Sequence, residues 1–157
     1  MKHFTYIRKI PIMKFIFGLV LLIFSIILVF SDIKSLVLSG LAIYFLLTDG
    51  TEFDFANNRY RSLKSILGIR FGTWKALPNI DYVSVFRTSE TTTLRSRSAQ
   101  TNVKNEIIKL NLFYNTNRKI EAYVSYDLED AFKKAHELAS LLNVDILDAT
   151  EPESKWL

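Results

Sequence analysis

Residues 15–30 read FIFGLVLLIFSIILVF, and fourteen of these sixteen positions are Phe, Leu, Ile or Val. A helix built from them has no polar face to offer water. At about −0.3 to −0.6 kcal/mol per residue on insertion scales, the run favours hydrocarbon by roughly 4–8 kcal/mol. The run alone makes a helix of about 24 Å. Extending it back to Ile12, with Lys14 snorkelling to the headgroups, gives about 28 Å, close to the hydrocarbon thickness of a bilayer.

A short polar break, Ser31 to Ser35, is followed by a second apolar run, Leu36 to Leu47 (LVLSGLAIYFLL). Counted from Ile33 this run spans about 22 Å, so in a membrane it thins the bilayer or sits off-centre. An antiparallel helical hairpin is the natural packing across so short a turn. Two other patterns share features with it. A cleaved signal peptide also begins with basic residues before an apolar run. Here, however, the run is longer than a usual h-region, and a second apolar run follows it in place of a small-x-small site. A soluble helical core would need a polar face that residues 15–30 lack.

The net charge of +4 is confined to the start of the chain, where Lys2, Arg8, Lys9 and Lys14 precede the first apolar run. The rest of the chain is balanced, so it carries no strong positive field and is not expected to bind nucleic acid. Flanking Lys and Arg set orientation: four lie before the first run, and Arg59, Arg61 and Lys64 follow the second, while the turn has Lys34 beside Asp32. These counts predict a multi-pass protein of the inner (cytoplasmic) membrane with both termini cytoplasmic. With no cysteine in the chain, disulfides and Cys-based metal sites are excluded.

Four regions follow: a basic leader at 1–14, a transmembrane helical hairpin at 15–47, an extramembrane domain at 48–148 and a flexible tail at 149–157. In the domain, alternation predicts strands over 51–56, 59–67, 73–77, 80–88, 106–114 and 118–126. Asn57-Asn58 is a turn able to take positive φ, Gly68 to Gly72 is a turn, and the polar stretch 88–105 is a long mobile hairpin loop. The core face of 80–88 is Tyr82 with Ser84 and Phe86, or Ile80 with Val83 and Val85. Asp127 N-caps a helix with Glu129 and Asp130 in its first turn, an apolar stripe from Leu128 to Leu142 and Asn143 at its end. Residues 144–147 add an edge strand. The fold class is α+β: a hairpin, then six to seven antiparallel strands and a C-terminal helix.

The set Tyr60-Arg61, Gly68, Gly72-Thr73-Trp74, Leu77-Pro78-Asn79-Ile80, Tyr82-Val83-Ser84-Val85 and the final helix running into Val144-Asp145-Ile146 resembles bacterial membrane proteins that carry an N-terminal transmembrane hairpin and a pleckstrin-homology-like (PH-like) domain. In layout the chain is also loosely similar to the photosystem I assembly protein family. The first resemblance implies a PH-like β-barrel plugged by the terminal helix.

Catalytic signatures are missing from the sequence. His136-Glu137 has Ser140 where a zinc-protease motif needs its second histidine, and neither a nucleophile elbow nor a phosphate-binding glycine loop occurs. No catalytic, cofactor or metal-binding residue is expected. Glu52 and Asp54 read as a solvated strand face, and Trp74 as core. Arg59 and Arg61 match half of a phosphoinositide-binding pattern, but Glu52 and Asp54 on the preceding strand would repel a phosphate. Arg59, Arg61, Arg87, Arg95 and Arg97 are the candidate headgroup or partner contacts. The expected function is a membrane-anchored binding or scaffolding module, not an enzyme, with the lipid bilayer and a protein of unknown identity as partners. A lipid-headgroup sensor is the alternative. Oligomeric state is not readable.

Overall fold

The computed structural model describes residues 3–95 and 100–157. Its contacts divide the chain into two compact units, one from His3 to Lys75 and one from Ala76 to Leu157.

The first unit opens with a strand, β1 (His3–Ile7), ahead of the first apolar helix. Next come helix α1 (Ile12–Val29), a 3-10 turn (Ile33–Ser35) and helix α2 (Leu36–Leu46). Pro11 precedes the first residue of α1, where a missing N–H costs nothing. Asp32 closes the interhelical turn by accepting from the Lys34 amide at 3.0 Å. The helices approach closely because Gly18 has no side chain: a Cβ there would lie 3.0 Å from Leu46 Cγ and from Phe45 Cβ. Deeper in the seam Ser25 Oγ donates to the Leu22 carbonyl at 2.9 Å. Its single proton is thereby used, so the 2.9 Å bond to Ser39 Oγ has Ser39 as donor. Both hydroxyls, buried Ser25 and half-buried Ser39, are satisfied within an apolar hairpin.

Strand β2 (Thr48–Asp54) continues from α2 after Leu47 alone. β3 (Arg59–Ile66) and β4 (Ile69–Phe71) complete the sheet order β1-β2-β3-β4, with β5 (Lys75–Ala76) also pairing with β3. β1 runs antiparallel to β2, from His3 opposite Asp54 to Ile7 opposite Gly50. The basic leader expected at 1–14 therefore contains an edge strand, and its partner lies beyond the whole hairpin. Phe4 faces Phe53, and Phe53 faces Tyr60, so three aromatic rings form one row across three strands. Phe53 is fully buried, worth about 1.5–3 kcal/mol. Asn58 turns β2 into β3 at φ 48°, and Leu67 (φ 49°) with Gly68 (φ 91°) forms the two-residue turn between β3 and β4. The stretch expected as one turn from Gly68 to Gly72 is thus a hairpin with a strand of its own, and β3 pairs with β2 in unbroken register.

In the second unit, β6 (Tyr82–Arg95) and β7 (Gln100–Tyr114) pair from Tyr82 opposite Phe113 out to Arg95 opposite Gln100. The stretch 88–105, expected as a mobile loop, is a β-ribbon through Arg95 and from Gln100; residues 96–99 of that expectation lie outside the described residues. Its Thr-rich sequence explains this, since β-branched threonine suits a pleated strand. β8 (Arg118–Ser125) follows, then α3 (Leu128–Leu142), β9 (Asp145–Ala149) and β10 (Lys155–Trp156). The order is β10-β9-β6-β7-β8, with β9 parallel to β6. Val83, Val85, Leu110, Leu112 and Ile146 are buried with Ala131, Ala135 and Leu138 of α3. Of the two core sets expected for β6, the one with Ile80, Val83 and Val85 is buried; Phe86 is 44% exposed. Asp127 caps α3 and Asn143 ends it in the left-handed region, as expected.

The molecule is α+β, with two apolar N-terminal helices and a later helix α3. Among the described residues it has two open sheets and no closed barrel. The barrel expected from the PH-like resemblance fails because α3 does not end the fold: the chain re-enters its sheet as β9, and Lys155–Trp156, expected in a flexible tail, pairs with it.

Candidate functional site

Cross-strand register builds one concentrated polar site in the first unit. Glu52 on β2 stands opposite Arg61 on β3, and Asp54 opposite Arg59. Residues two apart on a strand share a face, so the two acids and two guanidiniums lie side by side. Arg61 donates to Glu52 Oε2 from Nε at 2.8 Å, and its Nη2 lies 2.7 Å from the same oxygen. Arg59 Nε donates to Asp54 Oδ2 at 2.9 Å. The Trp74 ring completes the site, with the guanidinium carbons of Arg59 and Arg61 each 4.6 Å from its centre.

Asp54 is the anchor of this ladder. Its side chain is 1% exposed, against 44% for Arg59. It also accepts from Asn57 Nδ2 at 2.7 Å and from the Asn57 amide at 3.3 Å, while His3 Nε2 lies 3.8 Å away. These donors hold its carboxyl below the ordinary carboxylate range, the Asn57 side chain contributing most, against the opposing effect of burial. The 3-10 turn Phe55–Asn57 exists in part to close this ring of bonds.

Glu52 and Asp54 are therefore not a solvated strand face, and Trp74 is half-buried against charge and not in an apolar core. Two anions and two cations cancel, with the Nε–H groups taken by carboxylates and the guanidinium faces by an indole. The arrangement locks β2, β3 and the segment around Trp74 together. A phosphate approaching Arg59 or Arg61 would meet the carboxylates of Glu52 and Asp54 beside them.

The other candidate arginines are not part of this ladder, and Arg87 and Arg95 belong to the second unit. Arg87, on β6, lines a recess of about 150 Å³ with Glu106, Ile108, Tyr126 and Leu128. That is below the usual size of a small-molecule site. Arg95 ends β6, and Arg97 lies outside the described residues. A more open groove of about 520 Å³ runs beside the end of α3, lined by His136, Ser140, Asn143 and Leu157 among others.

A second hydrogen-bonded carboxylate, half-buried Asp130, serves structure. Tyr123 and Ser125 on β8 donate to its Oδ2 at 2.7 and 2.9 Å. The Tyr123 phenol is the larger cause of a lowered pKa there. Among the described residues no group of three or more His, Asp or Glu side chains is placed to hold a metal ion.

Fold and site together define a class: a chain whose apolar helical hairpin is clasped at its open end by a β-sheet with a self-neutralised charge ladder. No known protein family, curated protein or solved structure matches it.

Proposed function

We propose that the chain is a membrane-anchored binding module. In this reading α1 and α2 hold it in the cytoplasmic membrane, with both hairpin ends on the cytoplasmic side, and the β-rich remainder engages another protein there. The pairing of β1 with β2 carries the proposal. A cleavable leader would take β1 with it, stripping the sheet of an edge strand and of Phe4, which is 6% exposed against Phe53. The helices support an anchor too. α1 is 18 residues long, about 27 Å, and Ile16, Phe24 and Ile27 on it are more than half exposed to whatever solvent surrounds them. Lys14 Nζ sits 5.8 Å from the Tyr44 ring near the hairpin's open end, a pairing suited to the interfacial zone.

Binding of a protein is supported by aromatic surface in the second unit, where Tyr126 is 70% and Trp156 61% exposed, with Phe86 at 44%. The test is crosslinking in intact membranes, comparing the native chain with Phe86→Ser and Tyr126→Ser. A protein adduct lost in both variants supports the proposal. An unchanged adduct, or lipid alone in the purified complex, contradicts it.

A further inference from the structure

The turn joining β3 to β4 carries large apolar side chains into the open: Leu67 is 55%, Ile69 63% and Phe71 53% exposed. Its place in the sheet is set by register. Thr48, the first residue of β2, follows α2 after Leu47 alone and pairs with Ser65. β3 runs on through Ile66 to Leu67, so the turn projects about 7 Å past the start of β2, at the end of the sheet where α2 leaves it. Arg8 leaves the sheet at the same end, its amide donating to the Asp49 carbonyl at 2.9 Å. Along β4, Ile69 and Phe71 share one face with exposed Arg70 between them. From Arg59 to Lys75 the chain has five basic residues and no acid, and Asp49, at this end, pairs with Lys64 at 3.1 Å.

We propose that this tip is a second membrane contact: Leu67, Ile69 and Phe71 enter the interfacial zone of the bilayer that holds the hairpin, and Arg70 meets anionic headgroups. The proposal rests on the anchor reading above. Leu67 itself argues for it. Its φ of 49° is a conformation that Asn or Gly adopts at little cost and leucine does not. A leucine there adds strain and puts an isobutyl group in the open; contact with acyl chains gives that group a favourable environment. Apolar residues interleaved with arginine suit the boundary between headgroups and hydrocarbon.

The chain has no cysteine, so single substitutions carry one spin label each. Full-length Ile69→Cys, Ile23→Cys and Ala56→Cys are reconstituted in vesicles of phosphatidylcholine with a minor fraction of phosphatidylglycerol. Collision with oxygen is compared with collision with a water-soluble nickel chelate. The tip contact predicts a label at 69 with an oxygen-to-nickel ratio several-fold above that at 56 and approaching that at 23. A label at 69 as aqueous as that at 56, with 23 in lipid, overturns the tip contact and leaves the anchor intact. A label at 69 shielded from both reagents means protein covers the tip, and overturns it equally. An aqueous label at 23 overturns the anchor itself.

Discussion

The hydroxyl of Thr48 donates to the carbonyl of Arg8 at 2.6 Å, closing a gap of 40 residues. Between them lies the entire helical hairpin. With the Arg8 amide bonded to the Asp49 carbonyl, this contact fastens the two strands where the helices leave them. The fold of the first unit depends on this closure, and so does its behaviour under mutation.

Gly50 sits at the clasp, opposite Ile7 and Leu63. A Cβ there would run into the Tyr6 carbonyl oxygen and lie 2.9 Å from Leu63 Cδ1. Gly50→Ala should cost about 1–3 kcal/mol. Denaturant unfolding in detergent measures this, and β1 should become cleavable by protease at lower denaturant than in the native chain.

The two helical glycines should separate. Gly18→Ala crowds Leu46 and Phe45 and should lower the thermal midpoint in detergent by an amount equivalent to about 1–3 kcal/mol. A Cβ at Gly40 meets nothing within 4 Å, so Gly40→Ala should be neutral or stabilising by up to about 1 kcal/mol through helix propensity.

Trp74→Ala removes the ring over both arginines and should cost about 1–2 kcal/mol, with Trp74→Phe in between. A double-mutant cycle with Arg59→Lys should show coupling, because the planar guanidinium is the group that stacks.

Acid should weaken both units. Asp54 and Asp130 have folded-state pKa values below the ordinary 3.8. For a depressed carboxyl, the stabilisation is complete above its unfolded pKa and is lost as pH falls through the folded one. Stability should therefore hold near neutrality and decline below about pH 4. Asp54→Asn, followed by urea unfolding across that range, should flatten the decline.

Local chemistry was legible where it acts over a few residues. The apolar runs around Phe24 and Ala42, the cap Asp127, the left-handed Asn143 and the alternation of Ile120, Ala122 and Val124 each carry their own signal, and each element formed as expected. What escaped depends on partners distant in sequence. The alternation of Phe4 and Tyr6 in HFTYI is a strand pattern, but five residues before a hydrophobic helix read as a leader until Phe53 is known to face them. Glu52 and Asp54 looked solvated because the arginines opposite them follow from register and not from composition. Trp74 looked like core for the same reason. β9 inserting parallel to β6 has no local mark, and that insertion keeps the second sheet from being a plugged barrel.

The central claim is that an uncleaved hairpin enters and leaves the membrane on one side. Single cysteines at Thr5, Lys34 and Ala56, labelled in sealed membrane vesicles with an impermeant maleimide, test it directly. The account predicts that Thr5→Cys and Ala56→Cys label together from the same side, on a full-length chain, with Lys34→Cys reacting only from the other. Loss of the label at position 5 from the mature chain, or reaction of all three positions from one side, would contradict it.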